Sequence, residues 1–329
     1  MLKAMKPLKA AFLFMALMAT TAASGDYPEA QISNGQIEAK IHLPDAQNGS
    51  YRGTRFDWAG DIYSLRYKGH EYFGRWYENH DPKVHDAITG PVEEFTSNGS
   101  SALGYDKAKP GETFIRIGVG VLRRPEDESA FRRFGTYEIV DPGKRTINKT
   151  AHAIDFTQEV NGPNGYSYVY RKTVSLVRGK PEMVLVHTLR NTGREPIETS
   201  VYDHNFFVID NEVVGPGIVV DFPFDPKAVA DLKGIAELKG RSLVYTRDLE
   251  KGESVQSEIT GFSNSAKDYD FRIENRKSGA GVRIRGSHPI EKINFWCIRT
   301  VACPEPYIHM KIEPGDEATW QIIYDFYTR

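Results

Sequence analysis

The sequence predicts an all-β protein, a two-sheet antiparallel β-sandwich with one short helix. Three observations carry that expectation. Residues 166–209 read as three strands joined by two turns, and turn signals recur at short intervals along the rest of the chain. The 17 Tyr, 17 Phe and 29 Gly among 329 residues suit many strands closed by tight turns.

The central stretch sets the pattern. Residues 169–177 alternate and are rich in β-branched side chains until Arg178-Gly179-Lys180-Pro181 breaks the run. A second apolar run, 183–189, is ended by Asn191-Thr192-Gly193. A third strand starts near Ile197 and delivers Tyr202, Asp203 and His204 just ahead of Phe206 and Phe207. An imidazole between an acid and two aromatics at a strand end suits either a hydrogen-bonded core residue or a catalytic proton carrier.

At the beginning of the chain, Lys3, Lys6 and Lys9 precede the apolar run 10–18, and small residues follow at 20–24. That is the pattern of a secretory signal peptide, residues 1–24, cut near Ala23 or Ser24. The expected product is secreted or periplasmic, with residues 25–329 forming one domain. The apolar run is too short to cross a bilayer, and no later stretch approaches about 18 uninterrupted apolar residues, so no membrane partner is expected. Without the three lysines, 39 Lys and Arg stand against 44 Asp and Glu, a net charge of −5. This balance excludes the basic footprint of a nucleic-acid binder.

Residues 29–41 form a hairpin turning at Asn34-Gly35. A strand at 62–67, a turn at Lys68-Gly69 and Tyr72-Phe73 come next. Phe56, Trp58, Tyr72 and Phe73 cluster here beside Arg55. Sugar clefts use aromatic faces for apolar sugar surfaces and Arg for hydroxyls, although a core under a long loop gathers the same aromatics. Residues 78–95 read as an irregular loop holding His80, His85, Glu93 and Glu94 among Pro82, Gly90 and Pro91. Polar groups gathered on a loop point to binding or catalysis, with a solvated turn as the alternative.

Strands follow at 113–121, 137–140 and 150–160, with an exposed, charged connection containing a helical turn at 123–133. Asp225 as N-cap and Gly240 as stop bracket the one helix, 227–238. Strand alternation returns at 243–245, 257–262, 269–275 and 281–285. At the C-terminus 292–300 reads as a strand, Cys303-Pro304-Glu305-Pro306-Tyr307 as a loop, and 307–312 and 318–327 as strands.

Cys297 and Cys303 are the only cysteines. Six residues of extended strand hold their Cα atoms beyond bonding reach, so a disulfide needs a turn between them; otherwise they are two buried thiols. There is no Cys-x-x-Cys pair and no His-Glu-x-x-His, and the spacing of His80, Asp81, His85 and Asp86 fits no metal signature. Neither a metal nor another cofactor is expected.

The order strand, Asn-Thr-Gly turn, strand, Asp203-His204-Asn205-Phe206-Phe207 resembles the Asn-His-x-Tyr-Phe segment of the aldose 1-epimerases, the galactose mutarotase superfamily. The resemblance places His204 on the family's proton-exchanging His and Phe207 on its final Phe. Asp203 stands where the family has Asn, and Phe206 where it has Tyr. The aromatic and Gly-rich opening at 51–73 and the Pro314-Gly315-Asp316-Glu317 turn before the last strand are similar to the two ends of that fold. The family's second substrate-binding His has its nearest equivalents in His85 and in Glu93-Glu94. The approximate position of its catalytic Glu holds Arg299, and the nearest acid is Glu305.

What the resemblance implies is a sugar cleft on a concave sheet face of a galactose mutarotase-like sandwich. His204 is then the acid at the ring oxygen, Glu93, Glu94 or Glu305 the base, and Arg55, Trp58, His85, Tyr202 and Arg299 contact the sugar. Arg299 cannot itself serve as base at neutral pH. Its fork suits a uronate carboxylate or a scaffold ion pair. Three functions stay open: a sugar epimerase of mutarotase type, a lyase or hydrolase of uronate-containing polysaccharides using Tyr202 and Arg299 or Arg55, and a non-catalytic carbohydrate-binding module. All three take a mono- or oligosaccharide as partner.

Overall fold

The structure is a computed structural model that describes residues 27–97, 99–127 and 129–329. The expected signal peptide lies outside the described residues. A ten-stranded sheet centred on Ser167–Leu176, Glu182–Asn191, Glu317–Thr328 and Ala280–Gly286 packs against a six-stranded sheet. The six-stranded sheet runs in the order Lys227–Ala228, Ser254–Thr260, Lys292–Ile298, Val301–Ile312, Ile197–Phe206, Gly90–Thr96. Neighbouring strands are antiparallel throughout both sheets. Smaller sheets of four and three strands, beginning at Glu29–Ser33 and Thr113–Arg116, flank them.

Period-two alternation explains the layers. In Ser167–Leu176 every second residue, from Tyr168 to Leu176, is buried. The apolar ones, Tyr168, Tyr170, Val174 and Leu176, join Val201, Ile293, Phe295 and Ile308 from the six-stranded sheet in the principal core. The other face of the six-stranded sheet is covered by a second core of Tyr51, Phe56, Trp76, Phe114, Phe206 and Cys303. Cys297 belongs to the first core and Cys303 to the second, because Cys297 pairs with Ala302 and Trp296 with Cys303 across the hairpin. The two thiols therefore project from opposite faces and are free and buried.

Four expectations about local structure are corrected. Residues 227–238 are not helical. Lys233 and Gly234 have φ of 59° and 63°, two left-handed residues in a row that no α-helix accommodates. Gly240 at φ 60° turns the hairpin between Ala236–Lys239 and Ser242–Tyr245 rather than stopping a helix. The helical elements among the described residues are three 3₁₀ turns, at Tyr105–Lys107, Ile209–Asn211 and Ala266–Asp268, and the described residues of the 123–133 connection form none.

The end of the 78–95 stretch is not a loop either. Gly90–Thr96 is a wholly buried strand at the sheet edge, where Pro91 is tolerated. Residues 303–307 likewise lie within one strand, Val301–Ile312. Its ladder with Ile197–Phe206 stops at Tyr202 opposite Tyr307, so Pro304 and Pro306 fall where no backbone donor is required on that side. Beyond this point the two strands part, with the Asn205 side-chain amide donating to Pro304 O at 2.9 Å. His204 and Glu305 stand on either side of the gap.

Candidate active site

Alternation divides the site residues between two faces. Tyr202 pairs with Glu94, Asp203 with Glu93 and His204 with Val92. Glu94, Tyr202 and His204 thus point to the outer face of the six-stranded sheet, with Glu305 and Tyr307 from the neighbouring strand. Glu93 and Asp203 point inward, between the sheets.

On the outer face His204 Nε2 is 3.2 Å from Glu305 Oε1. The imidazole is held in a column of rings: it stacks on Phe206 at 3.8 Å, Phe206 stacks on Trp76 at 5.0 Å, and Phe56 meets it edge-on at 5.5 Å. The pair is enclosed, with His204 4% and Glu305 2% exposed. Burial, reinforced by the Arg55 charge, holds the imidazole well below its usual pKa, so His204 is neutral. Burial raises the Glu305 carboxyl to about 7 even though it accepts from the Asn294 amide at 2.8 Å. His204 Nδ1 is buried with no hydrogen-bond partner. Near neutral pH Glu305 is therefore about half protonated and faces a neutral imidazole, which holds one N–H of its own and one lone pair.

Next to this pair three arginines converge on one carboxylate. Arg55 Nε is 2.9 Å from Glu94 Oε2, Arg116 Nη2 is 2.5 Å from Oε1, and Arg133 grips both oxygens at 2.8 Å. Burial alone would raise the Glu94 pKa, but the Arg55 and Arg133 charges outweigh it and hold it well below the carboxylate range. The Tyr202 hydroxyl donates to Glu94 Oε2 at 2.5 Å, and it stacks on Tyr307 at 4.1 Å. Arg133 also donates to the Tyr202 and Tyr307 hydroxyls at 2.9 and 3.2 Å. The Arg55 guanidinium is sandwiched between Phe56 at 4.3 Å and Phe134 at 4.6 Å. His85 packs on Phe134 at 5.1 Å at the solvent edge of this cluster. Along the same sheet face, beyond Tyr307, runs a groove of about 370 Å³ lined by Ser200, Glu258, Glu291, Lys292 and His309.

His204, Cys303 and Glu305 offer ligand atoms within 4.8 Å of one another, as do Glu93, His187 and Asp203 inside the sandwich. The residues do not fit a cation well in either place. In the first, burial raises the Cys303 thiol and the Glu305 carboxyl and so disfavours their anionic, metal-binding forms, and the Arg55 charge is near both; in the second, Lys172 already holds Glu93.

No protein-family model and no curated relative matches the chain. Solved structures do. A galactose mutarotase related enzyme from Lactobacillus acidophilus superposes with a TM-score of 0.54 at 14% identity, covering 91% of this chain and 97% of that one. A galactose mutarotase-like protein from Lactobacillus casei gives 0.55 at 14%, covering 91% and 100%. An aldose epimerase homologue from C. elegans gives 0.53 at 12%, covering 91% and 98%. The fold is that of the galactose mutarotases.

Within this galactose mutarotase-like fold five of the nine residues expected from the sequence come together: His204, Glu305, Glu94, Tyr202 and Arg55. His85 lies at the edge of the group. Three do not join it. Glu93 faces the interior, where its oxygens lie 2.6 Å from His187 Nε2 and 2.5 Å from Lys172 Nζ. The Trp58 indole donates to Gly53 O at 2.8 Å, and its ring lies under the Arg145 guanidinium. Arg299 is exposed at a hairpin turn and donates to Leu249 O at 2.7 Å.

Arg116, Arg133, Tyr307, Phe134 and Asn294 escaped the sequence reading. Arg116 carries a faint signal, since it shares the alternation of the apolar Phe114 in Thr-Phe-Ile-Arg. Arg133 carries none, being one of four arginines in a charged connection.

Proposed function

We propose that the chain is an exported sugar-ring enzyme of aldose 1-epimerase type, with residues 25–329 as one mutarotase-like domain and His204 and Glu305 as its proton-transfer pair. The observation that carries this is the 3.2 Å approach of His204 Nε2 to Glu305 Oε1 on one sheet face, across the gap in the strand ladder. The mutarotase-like fold and the signal-like N-terminus support it.

Mutarotation requires a proton delivered to the ring oxygen and one removed from the anomeric hydroxyl. Glu305, with its pKa near 7, carries the proton at rest, and neutral His204 supplies the base. These roles exchange in the reverse direction. The assignment inverts the His-acid, Glu-base order that the resemblance implied. Phe56 and the Arg55 segment cover the pair, so substrate entry on this reading moves Phe56 aside. A lyase using Tyr202 as base is less well supported. Burial and the Glu94 charge hold that phenol's pKa well above its usual value, and its proton is engaged by Glu94.

The test is magnetisation exchange between the α and β anomers of D-galactose, D-glucose and D-glucuronate, followed by NMR with and without protein. His204→Gln and Glu305→Gln should each slow exchange by about 10²–10⁴-fold. Catalysis that survives both changes, or exchange at the uncatalysed rate with the wild-type protein, overturns the proposal. Binding without exchange would identify a carbohydrate-binding module instead.

A further inference from the structure

The arginine cluster is not balanced. Arg55, Arg116 and Arg133 bring three positive charges to Glu94, which supplies one negative charge. Among the described residues no other carboxylate lies within 4.0 Å of these guanidiniums. Two buried or half-buried positive charges are left, which is costly unless an anion completes the site. The overall formal charge is −2, so the excess is local.

The donors point the same way. Arg55 uses Nε and Nη2, and Arg133 uses Nε and Nη2, in contacts with Glu94 and the two tyrosines. The remaining Nη1 of each has no hydrogen-bond partner among the described residues. Arg116 Nε is buried and unpartnered. Arg116 is almost inaccessible, with a side chain 1% exposed, whereas the Arg133 side chain is 26% exposed. Arg133 is thus where the surplus charge reaches the mouth, with the Phe134 ring beside it at 5.5 Å.

The position relative to the proton pair matters as much. Arg133 reaches the hydroxyls of Tyr202 and Tyr307, and His204 and Glu305 each lie two residues along the same strands. Residues two apart on a strand face are about 7 Å apart. That separation suits one pyranose ring bearing an exocyclic group.

Building on the sugar-enzyme proposal, we infer that the physiological sugar carries an oxyanion, a carboxylate or a sulfate or phosphate ester, seated on Arg133 and Arg55 while its ring lies over His204 and Glu305. Guanidinium forks match these oxyanions bidentately, and Glu94 acts as the template that holds the three forks in place.

The experiment compares dissociation constants by calorimetry at one ionic strength for D-galactose, D-galacturonate, D-galactose 6-sulfate and D-galactose 6-phosphate, and for the same four derivatives of D-glucose. At least one anionic sugar should bind ten-fold or more tightly than its neutral parent. Arg133→Gln should abolish that preference, and Arg133→Lys should keep part of it, because it retains charge but loses the fork. A best uronate identifies a carboxylate, and a best ester identifies a tetrahedral oxyanion. If Arg133→Gln does not fold, the wild-type comparison and Arg133→Lys still decide. Neutral parents that bind as well as every anionic derivative overturn the inference and leave the epimerase proposal standing if they exchange anomers. Tight anionic binding without anomer exchange does the reverse. Absence of binding to all eight sugars overturns both.

Discussion

Glu93 and Glu94 are consecutive residues on one strand, both fully buried, and they sit in opposite kinds of charge cluster. Glu93 faces the ten-stranded sheet, where Lys172 and His187 hold it and Lys172 also donates to Ala59 O at 3.0 Å. Nearby, the Tyr324 hydroxyl lies 2.8 Å from both Asp203 and Asn205. Burial, then the Glu93 charge, raise Asp203 well above the carboxylate range, so it is protonated and adds no charge. The inner cluster is thereby close to neutral and sealed. Glu94 faces three arginines, carries a surplus of positive charge, and opens to solvent through Arg133. A sealed, balanced cluster clamps two sheets together, whereas an open, unbalanced one awaits a ligand.

The largest expected effect breaks the inner cluster. Burial pushes the Glu93 carboxyl up, but Lys172 and His187 outweigh it and bring it down to about 2. Glu93→Gln removes the carboxylate in contact with the Lys172 ammonium, 1% exposed, and leaves only the more distant charge of Asp57. A loss of about 3–5 kcal/mol is expected, measured by urea unfolding. A loss under about 1 kcal/mol would mean that Glu93 does not clamp the sheets.

How much of this was legible in the sequence follows from the same strand. Alternation announced the three central strands and the two C-terminal ones, because each buries one face only. Gly90–Thr96 buries both faces, so Glu93 and Glu94 in succession broke the pattern and read as a loop. Adjacent glutamates gave no hint that strand geometry would send one to each side. His204 and Glu305 were found by resemblance, but their meeting depends on the ladder gap that Pro304 and Pro306 permit. The arginine surplus was invisible. Arg55, Arg116 and Arg133 are spread over 79 positions, one at a strand end and two in separate loops, and only tertiary packing brings them to one carboxylate. The false helix at 227–238 arose because Gly240 serves hairpins and helix ends equally well.

A smaller effect sets Glu305 against Glu93. Its carboxyl stands near 7 folded against an ordinary 4.5 unfolded. Between those pH values the folded protein holds a proton that the unfolded chain has released. Stability from this group therefore falls as pH rises from about 4.5 to 7, by roughly 3 kcal/mol in total. Glu93, with its lowered pKa, contributes in the opposite sense, losing stability only as pH falls through about 4 towards 2. Unfolding free energies of wild type and Glu305→Gln should diverge with pH over the first window, with the variant flatter. Parallel curves would show that folding does not raise the Glu305 pKa and that it does not carry the proton assigned to it.

The smallest effect tests the outer cluster itself. Glu94→Gln removes the one charge opposing three arginines, yet Arg133 and, to a lesser degree, Arg55 can turn their charge towards water, an exit that Lys172 lacks. The expected loss is about 1–3 kcal/mol, less than for Glu93→Gln. The informative comparison is its rescue. Sulfate stabilises folded proteins in general by exclusion from their surfaces, so a gain in sulfate means nothing alone. Glu94→Gln, Glu93→Gln and wild type are therefore unfolded in sulfate and in chloride at matched ionic strength. A cluster that seats oxyanions takes up sulfate where the carboxylate was, and Glu94→Gln then gains more than the other two proteins. Lys172 is sealed from solvent, so Glu93→Gln has no route to the same rescue. Equal gains in all three proteins would show that sulfate does not take the place of the Glu94 carboxylate, whatever it does at the surplus charge that the three proteins share.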